Sequence, residues 1–175
     1  MNEHRKILES ILKDNYKNIL DLGSGKTSMS FLLERFKESK ITGICYPGDN
    51  RKTDKIKEEC VGKYELMELD ICKKSLDKEF DLILCHLLFG EAVKFGNTVK
   101  DMASKVFNLN GEKILVVDYL EDPEIDFELL ISVAISKGYY IIKKEIFKKE
   151  QAEEYSSFIG ENYIAILFKR IDKKQ

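Results

Sequence analysis

Seven short apolar runs, most of them separated by helical stripes, constrain this chain more than any other feature of it. Residues 18–22, 41–45, 64–69, 80–85, 113–118, 139–147 and 163–168 have the length and composition of strands. Ile114, Leu115, Val116 and Val117 present no polar side, as expected of parallel strands covered on both faces. Between the runs, Met29, Leu32, Leu33 and Phe36 fall at i, i+3, i+4, i+7, and so do Val99, Met102, Ala103 and Val106. Phe127, Leu130, Ile131, Ala134 and Ile135 predict a further stripe that ends at Gly138. Thr98 with Asp101 predicts a capping box at one helix start, and Asn110-Gly111 predicts its stop. Repeated βαβ units imply right-handed crossovers. The predicted fold is therefore α/β, a doubly wound, mostly parallel seven-stranded sheet with helices on both faces.

Residues 1–16 open the chain as an amphipathic helix, with Ile7, Leu8, Ile11 and Leu12 on one side and His4 on the exposed side, where it carries no signal. Residues 143–154 read as a solvated strand end and loop. A length of 175 residues fits one domain spanning 1–175, and 43% hydrophobic with 34% charged residues is ordinary for a chain with a core. Twenty-nine basic against thirty-one acidic residues leave no global field for nucleic acid or an anionic membrane. Cys45, Cys60, Cys72 and Cys85 form no CxxC pair and stand at no zinc-finger spacing, so free thiols in a reducing cytoplasm are expected and no metal site is. No stretch approaches a membrane span, and nothing near Met1 resembles a signal segment.

Open α/β sheets bind ligands outside the carboxyl ends of their strands, at the switch in strand order. There stands Asp21-Leu22-Gly23-Ser24-Gly25-Lys26-Thr27, a strand running into a glycine turn and then a helix. Gly23 and Gly25 allow a sharp turn with close backbone approach to a ligand. Lys26-Thr27 suggests a nucleotide-triphosphatase P-loop, but that pattern needs a glycine where Leu20 stands inside the strand. The shortened loop has too few N–H groups to wrap a phosphate.

Residues 18–27 resemble motif I of class I S-adenosylmethionine-dependent methyltransferases, an apolar strand, an acid and a glycine-rich turn. Gly43-Ile44-Cys45 looks like that family's second strand end, Leu69-Asp70-Ile71 like its acidic position after strand three, and Phe80-Asp81-Leu82-Ile83 like its fourth strand. Residues 106–117 look like the approach to its fifth strand. The resemblance implies a Rossmann-like methyltransferase fold whose last strand is antiparallel, with S-adenosylmethionine as cofactor. It implies Asp21 by the cofactor's amino group, the Gly23-Ser24-Gly25 backbone under its amino-acid moiety, and Asp70 with Ile71 around the adenine. The backbone carbonyl of Cys85 would take the ammonium.

The chain departs from the pattern at three places: Thr27 replaces the third glycine, and Asn110 and Glu112 replace the proline and second glycine before strand five. Cys45 replaces the acid that takes both ribose hydroxyls, and a thiol cannot bridge two donors. Asp49 stands next, where the Pro47-Gly48 turn could fold it back, and Tyr46 could stack on the adenine. His86, directly after the fourth strand, is the catalytic candidate, a base for the methyl acceptor; the alternative is a histidine that caps the strand. Methyl transfer is an in-line displacement for which positioning can suffice. A small or medium acceptor molecule is expected, recognised by the opening helix and the loops 86–97, 119–126 and 149–161. Cys85-His86-Leu87-Leu88 lacks the family's asparagine-proline-proline-aromatic signature for nucleobase or glutamine amines, which argues against DNA adenine methylation, and nucleic acid is not an expected partner. A homodimer or a partner subunit stays open. The second reading is a non-catalytic binding or assembly module that keeps the fold.

Overall fold

The computed structural model describes residues 3–48, 64–74, 76–149 and 162–171. Its strands are those the apolar runs predict, most extended at the fifth: β1 (Asn18–Leu22), β2 (Lys40–Cys45), β3 (Tyr64–Glu68), β4 (Glu79–His86), β5 (Asn110–Tyr119), β6 (Tyr139–Lys148) and β7 (Asn162–Arg170). They form one sheet in the order β3-β2-β1-β4-β5-β7-β6. The pairs from β3 to β5 are all parallel, and β7 runs antiparallel to both β5 and β6. The expected doubly wound sheet with an antiparallel last strand is what forms.

Period-two alternation assigns each strand residue to one of two cores. Leu20, Leu22, Ile83, Cys85, Ile114 and Val116 face one core; Ile19, Leu82, Leu84, Leu115 and Val117 face the other. Helices α1 (Glu3–Ile11) and α2 (Lys26–Arg35) cover the second core, while α3 (Leu88–Lys94), α4 (Val99–Asn108) and α5 (Phe127–Ser136) cover the first. Large side chains such as Phe31, Phe89 and Phe168 are almost wholly enclosed, and each contributes roughly 1.5–3 kcal/mol through burial. β1 starts where the Asp81 carboxylate of β4 accepts the backbone N–H groups of Lys17 and Asn18, at 2.7 and 2.8 Å. Because β1 has β2 on one side and β4 on the other, the connections leave to opposite faces and open a crevice above its carboxyl end.

Five local expectations need correction. Helix α3 falls in the stretch 86–97 that reads as a loop. It is too short for a periodic signal, it follows Leu87 in the left-handed region (φ 56°), and its first N–H groups are met by Asp118 of β5 rather than by a neighbour in sequence. Asn110-Gly111 is not the stop of α4 but already the start of β5, with Tyr139 donating to Gly111 O at 2.8 Å. At the other end of α4, Thr98 Oγ1 accepts the Asp101 N–H at 3.1 Å as expected, while the Asp101 carboxylate takes the Thr98 hydroxyl instead of closing the box. The stripe of α5 is rotated: Leu130, Val133 and Ala134 are buried and Ile135 is 60% exposed. His4 is not on the exposed side of α1 but buried, 4% exposed, in line with Ile7, Leu8 and Ile11. Its spacing is that of the apolar stripe itself, and only its polarity argued otherwise.

Candidate functional site

A cavity of about 370 Å³ opens at the carboxyl ends of β1, β2 and β4, within the size range of small-molecule sites. Its floor is the turn from β1 into α2. Three residues, Gly23, Ser24 and Gly25, separate the strand from the helix. Gly23 holds φ +72°, and a Cβ there would stand 3.1 Å from Leu88 Cδ1 of α3, so the turn needs glycine both for its φ and for the close packing of α3. The N–H groups of Gly23 and Ser24 both reach Ile44 O of β2 at 2.9 Å. They tie the turn to the sheet, and so short a connection leaves no phosphate-wrapping loop.

Asp21 does not line the cavity; its side chain is fully buried beneath the turn. Its Oδ2 accepts from the Tyr64 hydroxyl at 2.7 Å and from the Ser28 hydroxyl at 2.8 Å, and the Tyr64 oxygen takes the Ser24 hydroxyl in turn. Tyr64 belongs to β3, so its ring must cross β2 to get there. It passes over Gly43, where a Cβ would lie 2.3 Å from the ring. Burial pushes the Asp21 carboxyl up to about 6, against the opposing pull of the Tyr64, Ser28 and Ser24 hydroxyls. Among the described residues, Asp21 Oδ1 has no hydrogen-bond partner.

Cys85 is likewise wholly buried, and burial raises its thiol well above the ordinary value. Gly23, Ser24, Gly25, Cys45, Tyr46, Asp70, Ile71 and His86 do line the cavity. The Cys45 thiol points back to the β3 backbone, 3.7 Å from Met67 O. Tyr46 lies flat on Phe95, with centroids 5.1 Å apart and planes at 14°. Asp70 Oδ1 accepts the Cys72 N–H at 2.9 Å and Oδ2 meets Lys73 Nζ at 3.2 Å, so the carboxylate is fixed at the rim. Asp49 lies outside the described residues.

The sequence reading missed four contributors: His4, Tyr64, Phe95 and Asp118. His86 Nε2 stands 3.0 Å from His4 Nδ1, and both residues line the cavity. Asp118, 1% exposed, accepts the N–H groups of Phe89 and Gly90 at 3.0 and 3.3 Å, and burial lifts its carboxyl to about 7. It anchors the helix that forms the cavity's α3 wall.

No family model and no curated protein matches the chain. Solved structures do. A TehB-like SAM-dependent methyltransferase from Corynebacterium glutamicum superposes with a TM-score of 0.66 at 15% identity, over 96% of this chain and 88% of that one. A 1,6-didemethyltoxoflavin-N1-methyltransferase from Burkholderia thailandensis, solved with 1,6-didemethyltoxoflavin and S-adenosylhomocysteine bound, gives 0.65 at 12%, over 97% and 77%. An rRNA methylase from Escherichia coli gives 0.64 at 15%, over 95% and 62%. At such identities the likeness is one of fold, and the fold is that of the S-adenosylmethionine-dependent methyltransferases.

Proposed function

We propose that this chain is a single-domain S-adenosylmethionine-dependent methyltransferase acting on a small or medium acceptor. The observation that carries the reading is the cavity itself: it opens at the β1/β4 switch point, over a glycine turn too short for a phosphate, with Asp70 and Ile71 at its rim. The residues present fit the cofactor. The orphaned Asp21 Oδ1 would supply a buried acceptor beneath the turn, reaching an ammonium group in the cavity through a water. The backbone of Gly23 to Gly25 would run under the amino-acid moiety, and the Cys85 carbonyl would face the ammonium. Asp70 would accept from the adenine amine while Ile71 and Tyr46 pack on the ring.

The bound cofactor supplies an electrophilic methyl group, so the chain's residues need only hold the acceptor in line and receive its proton. The second task is assigned to His86, which lines the cavity at the end of β4. The names of two neighbours point to different molecules, 1,6-didemethyltoxoflavin and rRNA, so they support no particular acceptor.

The test is ligand-dependent stability. S-adenosylhomocysteine at a hundred times its dissociation constant should stabilise the protein by about 2.7 kcal/mol, and ATP with magnesium should leave its melting temperature unchanged. Tight ATP binding with no response to S-adenosylhomocysteine overturns the reading. A second reading, a binding module without catalysis, is favoured by one observation: Cys45 stands where the family has an acid at the strand end, its thiol engaged with Met67 O. Binding of the nucleoside without methyl transfer to any acceptor is the outcome it requires.

A further inference from the structure

Asp21 is held on one side only, and by neutral groups. Its Oδ2 accepts the Tyr64 hydroxyl at 2.7 Å and the Ser28 hydroxyl at 2.8 Å, while Oδ1 has no hydrogen-bond partner among the described residues. None of the ion pairs among those residues includes it. Each hydroxyl has a single proton, so the two donors to Oδ2 must accept in turn. The Tyr64 oxygen takes the Ser24 hydroxyl. Ser28 Oγ lies closer to Asp21 than to Gly25 O, 2.8 against 3.1 Å, and takes the Gly25 N–H at 3.3 Å. Ser24 and Gly25 both line the cavity, so two relays run from its floor to the same carboxylate oxygen. The other oxygen is left over.

Tyr64 is the demanding member of this arrangement. In the sheet it stands beside Ile41 of β2, whereas Asp21 stands beside Gly43. The phenol must therefore cross two strand spacings, about 9–10 Å, on a diagonal. A serine or threonine at this position is too short for that. The path exists because β2 has a glycine under it, where a Cβ would stand 2.3 Å from the ring. The ring itself is 5% exposed and packs among Ile19, Leu82 and Ile41. Packing of that kind asks only for a phenylalanine, and what the oxygen adds is the bond to Asp21.

We infer that Tyr64 is a positioning residue for the methyl donor: with Ser28 it holds Asp21 by Oδ2, which keeps Oδ1 available, through a water, to the donor's ammonium group. The inference rests on the cofactor reading above. Without the phenol, Oδ2 keeps Ser28 as its only donor. A buried carboxylate oxygen one donor short carries a desolvation penalty. The group relieves it by taking up a proton or by turning Oδ1 inward to Ser28. Either change withdraws a charged acceptor from the ammonium. The adenine, assigned to Asp70 and Ile71 at the rim, does not feel it. Tyr64 thus acts on one group of the ligand rather than on the site as a whole.

The test is calorimetry with two ligands, S-adenosylhomocysteine and its analogue with hydrogen in place of the amino group. The wild type should bind S-adenosylhomocysteine about tenfold or more tightly than the analogue. Tyr64→Phe, which keeps the packed ring, should weaken S-adenosylhomocysteine about tenfold and change the analogue by less than about twofold. Ser28→Ala removes the other donor to Oδ2 and should show the same selective loss, so the inference stays open to refutation even where Tyr64→Phe does not fold. Equal losses for the two ligands, or no loss for either, overturn the inference, and so does a wild type that binds both equally. Wild-type protein that binds neither ligand sinks the cofactor reading and the inference with it. Binding without the selective loss sinks only the role of Tyr64.

Discussion

The floor of the cavity and its acceptor-side wall are built in opposite ways. The floor is nearly contiguous: Asp21 through Ser28 supply a strand end, a glycine turn and a helix start, with Ile44 O of β2 tying down the turn and Tyr64 of β3 reaching in from farther along the chain. The wall is assembled from distant segments. α3 is started by a carboxylate of β5, and His86 is met by a residue of α1. Local chemistry dictates the first region, and tertiary packing dictates the second. Substitutions in the floor should therefore act on ligand affinity, and those in the wall on stability and proton chemistry.

The largest expected effect belongs to the wall. Asp118 is raised to about 7 in the folded protein, against about 3.9 when unfolded. The native state then binds a proton that the unfolded state does not over that window. The contribution is full below about pH 4 and is lost as pH rises through 7, on the order of 4 kcal/mol at about 1.4 kcal/mol per pH unit. Asp21, raised to about 6, acts in the same direction. Urea unfolding should show the wild type losing stability from pH 4 to pH 7 and Asp118→Asn losing less; equal slopes would mean that Asp118 does not titrate there.

Next is Gly43→Val in the floor, whose added atoms collide with the Tyr64 ring. A destabilisation at the upper end of the roughly 1–3 kcal/mol typical of overpacking is expected, with loss of S-adenosylhomocysteine binding. Retained affinity in a folded variant would show that Tyr64 does not hold the floor. Cys45→Asp follows: a carboxylate at the strand end should tighten S-adenosylhomocysteine about ten- to a hundred-fold through charge-assisted hydrogen bonds to the ribose. Weaker binding would point instead to Asp49 as already in that place, and Asp49→Asn would then cost affinity. The smallest effect is Tyr64→Phe, which removes the donor to Asp21 Oδ2 and should weaken binding about tenfold, with the affinity's pH dependence moved upward as Asp21 loses a group that lowers its pKa. An unmoved pH profile would detach Tyr64 from Asp21.

The same division explains what the sequence made legible. The seven strands and the glycine turn follow from apolar runs and spacing, because a strand covered on both faces leaves a continuous signature in the chain. His4 escaped because its helical spacing places it on the buried stripe while its polarity argues for the surface, and only the position of His86 resolves the conflict. Helix α3 escaped because the carboxylate that meets its first N–H groups lies 29 residues further along the chain. Asp21 was legible as important but not as buried, since the hydroxyl that covers it arrives from β3 across a glycine of β2.

The stacked pair at the rim, Tyr46 on Phe95, gives the protein an optical property of its own. The chain contains no tryptophan, so tyrosine alone accounts for its near-ultraviolet emission. Tyr64, Tyr139 and Tyr163 are enclosed, whereas Tyr46 is 39% exposed and borders the cavity. A flat ring that slides between Tyr46 and Phe95 exchanges one aromatic neighbour for another and alters the light this side chain emits. Occupancy of the cavity can thus be followed by fluorescence without attaching a dye.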